Sequence, residues 1–325
     1  MDLNQIIQGD CIKIVQSLPP DTIQTVITNP PYWGLKDSGM TEQIGLEETV
    51  QEYIQKIVSL FREIKRVLKD DGTIWLNLGD AYAGSGRGRI ANGRTHPGTE
   101  HKQSIGQRSG VINLSNKIVG LKSKDLIGLS WRVAFAVQED GWYLRKDIVW
   151  NNPNAMPGDR PTSSHEYIFL LSKSPKYYYD NETIKEGAAY KPFPDPPRGS
   201  KGAFGMDQQG RREDKPRGSF NGKYGDLASR AIRNKRNKRS VWTVATKPTK
   251  NAHFATYPVG LIEPCVLAGC PIDGIVLDPF MGSETTGIAA LKHSRNFIGI
   301  ELNPEYIKIA NKRLNGVQIE LLHHL

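Results

Sequence analysis

The chain has 325 residues, 38% of them hydrophobic, which is enough for one large α/β domain with an excursion or for two domains. No apolar run approaches the ~20 residues that span a bilayer, and Met1-Asp2-Leu3-Asn4-Gln5 lacks a signal-peptide charge pattern, so a soluble cytoplasmic protein with no membrane partner is expected. Cys11, Cys265 and Cys270 are too few and too dispersed for a disulfide framework or a four-cysteine zinc site, and no metal is expected.

Residues 4–10 read as a short strand ending in Gly9-Asp10, and residues 11–18 as a short helix closed by Pro19-Pro20. Thr25-Val26-Ile27 reads as a buried strand, stopped by Asn29-Pro30-Pro31-Tyr32-Trp33-Gly34. Proline lacks an N–H, so the backbone there is stiff and its carbonyls are free to accept. Asn29 adds an amide oxygen at the C-terminal edge of the strand, where open α/β sheets place ligands. Tyr32 and Trp33 add aromatic faces. Acceptors beside a stacking ring suit a flat ring carrying an NH2 group.

Val50, Ile54, Ile57, Val58, Phe61, Ile64 and Leu68 then recur at helical spacing, with Thr49 and Glu52 a loose fit to a capping box. Asp70-Asp71-Gly72 is expected to end that helix, and residues 73–78 to form the next strand. Strand–helix–strand spacing of this kind predicts a right-handed crossover in a mostly parallel sheet. Residues 83–122 are rich in Gly, Ser, Asn and Arg and read as an insertion. Residues 125–137 read as a helix, and 143–150 and 166–172 as strands.

The formal charge of +9 is concentrated further on: residues 198–239 hold 13 Lys/Arg against 4 Asp/Glu, an excess equal to that of the whole chain. A basic block on a near-neutral body favours a polyanion partner. The wider stretch 187–239 is too poor in apolar residues to build a core, and is expected to be an arm that orders on a phosphate backbone. Arg87 and Arg89 in the first excursion are candidate phosphate contacts, as are Arg211, Arg212, Arg233, Lys235, Arg236, Lys238 and Arg239 in the second.

After Trp242 the pattern is regular again. Residues 258–267 read as a helix and 274–278 as a strand, followed by Asp278-Pro279-Phe280-Met281-Gly282-Ser283 and a helix over 285–291. Residues 296–301 read as another strand, and Asn303-Pro304 supplies an N-cap and a first-turn proline for a helix over 305–314. The turn at 278–283 lies where dinucleotide folds carry their glycine loop, and Glu301 ends the next strand, where a carboxylate can accept from both ribose hydroxyls. The full GxGxxG is absent, which counts against a dehydrogenase.

Together, Asn29-Pro30-Pro31-Tyr32-Trp33 and Asp278-Pro279-Phe280-Met281-Gly282-Ser283 resemble the S-adenosylmethionine-dependent DNA amino-methyltransferases of the β group, in which the catalytic motif precedes the cofactor motif. The resemblance runs from Ile6 to Leu314, excluding the two excursions. It implies a Rossmann-like methyltransferase fold: a mostly parallel seven-stranded sheet flanked by helices, in circularly permuted motif order. It also implies a catalytic body over 1–82, 123–186 and 240–325, an insertion over 83–122, and a target-recognition excursion over 187–239.

By that resemblance Asn29 and the Pro30 carbonyl, with Pro31, hold the target amino group of double-stranded DNA, and Tyr32 stacks on the flipped base. Phe280, Gly282 and Ser283 wrap the methionine end of S-adenosylmethionine, among Asp278, Pro279, Thr285 and Thr286. Glu301 takes the ribose, Asp10 and Cys11 lie near the adenine, and His253, Phe254 and Tyr257 match the segment that closes over the cofactor. Asn29 before Pro-Pro leans to adenine N6, whereas Tyr32-Trp33 and the Trp33-Gly34-Leu35-Lys36-Asp37 continuation resemble the cytosine-N4 group, which is narrowly preferred. A homodimer and a cognate restriction endonuclease stay open as partners. Cys265, within an apolar helical run, is expected to pack.

Glu284 departs from the family pattern, which has glycine there. If the backbone needs a positive φ, glutamate strains it, and its charge would repel a cofactor carboxylate. A decayed cofactor site on a non-catalytic DNA-binding protein is the alternative that this residue supports.

Overall fold

The structure is a computed structural model that describes residues 1–34, 39–40, 42–83, 121–122, 124–154, 161–187, 235–246 and 257–322. The chain divides into two compact units, Met1–Asp180 with Arg239–Leu325, and Asn181–Lys238. Among the described residues no helix is long and apolar enough to cross a membrane.

The larger unit opens with β1 (Gln5–Gln8), α1 (Cys11–Ser17) and β2 (Ile23–Thr28). Next come α2 (Val50–Val67), β3 (Leu68–Leu78), α3 (Leu129–Glu139), β4 (Tyr143–Asn151) and β5 (His165–Ser172). In the smaller unit β6 (Glu186–Gly187) pairs antiparallel with β7 (Lys235–Arg236), and Arg236 Nε donates to Glu186 Oε1 at 2.8 Å. The larger unit resumes with β8 (Val241–Thr243), α4 (Val259–Gly269), β9 (Ile275–Asp278), α5 (Thr285–Lys292), β10 (Asn296–Glu301) and α6 (Pro304–Leu322).

Eight strands form one mixed sheet in the order β1-β10-β9-β2-β3-β5-β4-β8. The run from β1 to β3 is parallel, β5 is antiparallel to both β3 and β4, and β8 is parallel to β4. Seven strands were expected. The eighth, β8, is three residues long and follows the basic block, so no periodicity announces it; it is held to β4 by the pairing Trp150↔Trp242 and by Trp150 Nε1 donating to Val244 O at 2.9 Å.

Every residue of β2 is buried, as its position between β9 and β3 with both faces covered demands. Helix α2 buries Val50, Tyr53, Ile57, Leu60, Phe61, Ile64 and Val67, a single stripe against the sheet. Its capping box is complete rather than loose: Glu52 N donates to Thr49 Oγ1 at 3.2 Å, and Thr49 N to Glu52 Oε2 at 3.1 Å, a pair of bonds contributing about 1 kcal/mol.

Three boundaries differ from the sequence reading. Helix α2 stops at Val67, and Asp70-Asp71-Gly72 lies inside β3. Gly72 fits there because a Cβ would sit 2.4 Å from Leu68 Cγ. Helix α3 begins only after Gly128, whose φ of +70° the apolar pattern does not register, with Leu129 N donating to Asp80 Oδ1 at 2.9 Å. Helix α6 continues to Leu322.

Candidate active site

Strands β2 and β9 are neighbours although their residues are some 250 positions apart, with Thr25↔Val276 and Val26↔Leu277 in register. From β2 the chain proceeds to β3 on one side, and from β9 to β10 on the other. Two loops leaving adjacent parallel strands in opposite directions open a crevice at their C-terminal ends, the switch point of the sheet. Both sequence motifs lie there. Continuing the register past the strand ends brings Asn29 level with Phe280.

Asp278 knits the two loops together and is fully buried. Its Oδ1 accepts from Thr28 Oγ1 and from Phe280 N, each at 3.0 Å. Its Oδ2 accepts from Tyr257 OH at 3.0 Å and Thr286 Oγ1 at 2.6 Å, which are themselves 2.6 Å apart. Burial raises the Asp278 carboxyl above the usual aspartate value, and these hydrogen bonds oppose the rise. The polar groups of Asp278, Tyr257 and Thr286, all expected near the cofactor, bond to one another, to Thr28 and to the loop backbone. Tyr257 is pushed well up by burial and by the Asp278 charge.

At the end of β2, Asn29 Oδ1 is buried and has no hydrogen-bond partner. Tyr53 OH donates to the Pro31 carbonyl at 3.0 Å and ties the proline pair to α2. Tyr32 is half-buried. Its hydroxyl donates to Glu166 Oε2 at 2.8 Å, and one side of its ring lies against Gly79, where a Cβ would be 2.6 Å from Tyr32 Cε2. Trp33 offers no stacking face: it is fully buried, with Nε1 donating to Glu47 O at 2.9 Å, so it anchors the loop in the core. Of its continuation, Leu35, Lys36 and Asp37 lie outside the described residues.

Across the crevice Gly282 has φ +54°, and a Cβ built there would meet only Phe280 O, at 3.9 Å. Gly282 N donates to Glu301 Oε2 at 2.9 Å and Asn303 N to Glu301 Oε1 at 2.8 Å, so the β10 carboxylate shapes the loop while each oxygen keeps a further lone pair. Burial raises the Glu301 carboxyl, against the pull of those N–H groups. Asp10 caps α1 through Lys13 N at 2.9 Å, next to Gly9, whose N–H reaches Glu301 O at 3.1 Å. Cys11 is a core residue; burial, then the charge of Asp10, pushes its thiol to about 12. Ser283 and Thr285 are buried, and Ser283 accepts from Arg313 on α6 through both its carbonyl and Oγ.

Glu284 has φ +79°, the left-handed backbone that its replacement of a glycine implied, and its side chain is fully buried with both carboxyl oxygens unpartnered. Burial pushes its carboxyl to about 9 despite the nearby Arg313 guanidinium. The strain is therefore present but the repelling charge is not: the group is neutral at pH 7.

The crevice thus collects Asn29, Pro30 and Tyr32 on one side and Phe280, Gly282 and Glu301 on the other, with Gly9-Asp10 beside Glu301. Sequence reasoning missed Thr28, Asn77, Glu166 and Arg313, none of which carries a local signal. Cys265 packs in α4 as expected. His253, Phe254, Arg87, Arg89, Arg211, Arg212 and Arg233 lie outside the described residues. Lys235 and Arg239 are exposed, Lys238 is half-buried, and Arg236 is taken by Glu186.

Comparison with known proteins fits this geometry. Residues 23–312 match a family described as DNA methylase, of the N6/N4 methyltransferases. The chain is 44% identical over 314 residues to the type II methyltransferase M.Cfr9I of Citrobacter freundii, covering 96% of this chain and 87% of that protein. It is likewise 44% identical to the type II methyltransferase M.SmaI of Serratia marcescens, covering 95% and 90%. Among solved structures, the PvuII DNA methyltransferase (cytosine-N4-specific) matches with TM-score 0.58 at 19% identity, over 94% of this chain and 84% of that one. A putative DNA modification methylase of Thermus thermophilus, complexed with S-adenosyl-L-methionine, matches with TM-score 0.53 at 20% identity, over 96% and 95%.

Proposed function

The chain belongs to the N6/N4 DNA methylase family, and on that footing we propose that it methylates the exocyclic amino group of a base flipped out of duplex DNA, cytosine N4 in preference to adenine N6. It is an S-adenosylmethionine-dependent DNA methyltransferase of restriction–modification type. The cofactor supplies an electrophilic methyl group on a sulfonium centre. Two observations fit the crevice to it: the open space over Gly282 and the loop-bound carboxylate of Glu301.

The observation that carries the proposal is the buried, unpartnered Oδ1 of Asn29. A buried acceptor without a partner costs about 1–3 kcal/mol, and such an atom at a crevice points to a donor that arrives with a ligand. An aromatic amino group brings two N–H donors, which Asn29 Oδ1 and the Pro30 carbonyl would take. Holding both hydrogens favours a pyramidal nitrogen with its lone pair free of the ring, and relieves the positive charge that grows as the nitrogen attacks. No covalent intermediate on the protein is required. Tyr32, backed by Gly79, would give the base a stacking surface. The Tyr32-Trp33 pair supports cytosine, as does the description of the PvuII neighbour; Asn29 itself favours adenine. Lys235, Lys238 and Arg239 would contact phosphate.

The test is transfer of labelled methyl from S-adenosylmethionine to mixed-sequence duplex DNA, with nucleosides identified by mass. N4-methylcytosine is expected, and Asn29→Ala should abolish it while leaving cofactor affinity intact. N6-methyladenine would reverse the choice of base. Folded, cofactor-binding protein that yields no product on several DNAs would overturn the proposal.

A further inference from the structure

Three residues of the glycine loop take their partners from the strands beside it. Phe280 N donates to Asp278 Oδ1 at 3.0 Å, Met281 N to Ile300 O at 2.9 Å and Gly282 N to Glu301 Oε2 at 2.9 Å. The next residue, Ser283, is held from a helix. Its carbonyl and its Oγ both accept from one terminal nitrogen of Arg313, the Oγ at 2.9 Å. Arg313 lies on α6, which packs beside α5, and is 30 residues from Ser283 in sequence.

That grip falls at the strained turn of the loop. Ser283 stands between two left-handed residues, Gly282 at φ +54° and Glu284 at φ +79°, and the turn is closed by Glu284 N donating to Met281 O at 2.9 Å. Glycine adopts this conformation freely. Glutamate does not, and it persists there only where the surrounding structure over-determines it. The Glu284 side chain gives no help, since both of its carboxyl oxygens are buried without a partner. Among the described residues, the side chain that holds the backbone between the two left-handed positions is Arg313. Arginine suits the task because its nitrogens only donate, and one terminal NH2 group can serve a carbonyl and a hydroxyl oxygen together.

We propose that Arg313 is a positioning residue for cofactor binding: by holding the Ser283 carbonyl and hydroxyl, it keeps the turn at Glu284 left-handed and the backbone at Gly282 open to the methionine end of S-adenosylmethionine. The role rests on the reading of the glycine loop as the seat of that end, with the ribose at Glu301. It adds α6 to the elements that shape the crevice.

The experiment measures the affinity of wild type, Arg313→Met, Arg313→Lys and Gly282→Ala by calorimetry, with thermal melting as the check on folding. Two probes are used: S-adenosylmethionine, and methylthioadenosine, which keeps the nucleoside and the sulfur but lacks the amino-acid end. Arg313→Met should lower affinity for S-adenosylmethionine by roughly 10-fold and leave that for methylthioadenosine within about 2-fold of wild type. Arg313→Lys keeps a charged donor and should fall between wild type and Arg313→Met; if the methionine variant does not fold, the lysine variant decides by the same comparison of probes. Gly282→Ala strains a left-handed position and fills the space above it, and should weaken S-adenosylmethionine whatever Arg313 does. Wild-type affinity in Arg313→Met would overturn the role, as would equal losses for both probes, which would mark Arg313 as a general structural support. Either result, with Gly282→Ala impaired, leaves the reading of the loop standing. Unchanged affinity in Gly282→Ala would overturn that reading, and the role with it.

Discussion

Replacing Glu284 by glutamine should flatten the dependence of stability on pH. The native carboxyl is fully buried, without a hydrogen-bond partner, and titrates near 9 against an ordinary value of 4.5. Between those values the native state holds a proton that the unfolded chain has released, so unfolding stability falls as pH rises. The contribution is fully present below 4.5 and is lost progressively as pH rises toward 9. Each pH unit in the window costs about 1.4 kcal/mol, so from pH 5.5 to 7.5 this one residue removes about 3 kcal/mol. Glutamine cannot ionise. Its unpaired amide carries a penalty of about 1–3 kcal/mol, but that penalty does not change with pH. Urea unfolding of both proteins at several pH values isolates the effect, because every other titrating group cancels in the difference. The stability of Glu284→Gln relative to wild type should climb steadily across the window. Parallel curves would refute the reasoning, for they would mean that the carboxyl is solvated or ion-paired. Glu284→Gly should show the same climb, displaced by about a further 1 kcal/mol in its favour because glycine accepts φ +79° without strain.

Three further outcomes follow from the geometry. Glu301→Ala removes the acceptor for Gly282 N and Asn303 N, and should weaken S-adenosylmethionine binding by roughly 10–100-fold in calorimetry; unchanged affinity would remove Glu301 from the cofactor site. Gly79→Ala forces the Tyr32 ring to move, since the new methyl would lie 2.6 Å from Cε2 and 3.1 Å from the hydroxyl oxygen. It should slow methyl transfer with cofactor affinity held, and a normal rate would show that the ring's position is immaterial. In salt titrations of DNA binding, Lys238→Ala and Arg239→Ala should each reduce the slope of log K against log salt by about 1. An unchanged slope in either variant would count against that residue's contact with phosphate.

Local chemistry was enough to find both halves of the crevice. A β-branched run stopped by Pro30-Pro31, and a strand turning at Pro279 into a glycine loop, each fix where a strand ends, because a proline's missing N–H and a glycine's positive φ act within a few residues. Glu301 was legible for the same reason, as the last residue of an apolar run. The positive φ at Glu284 was legible only against the glycine that the family places there, since nothing local requires it. Trp33 was misjudged because its neighbours suggested an aromatic platform, whereas Glu47 O and the covering core decide that it is buried.

What the sequence by itself determined, then, is the set of strand ends and the residue types offered at each. The tertiary structure alone decided which ends become neighbours. Strand order carries Asp278 to Thr28, Glu166 to Tyr32 and Arg313 to Ser283, across separations of 250, 134 and 30 residues. Each of these contacts depends on a backbone ladder or helix packing that no local window contains. The physical reason is range. A turn propensity acts over the few residues whose dihedrals it fixes, while a buried polar group takes whatever partner the assembled sheet brings within about 3 Å.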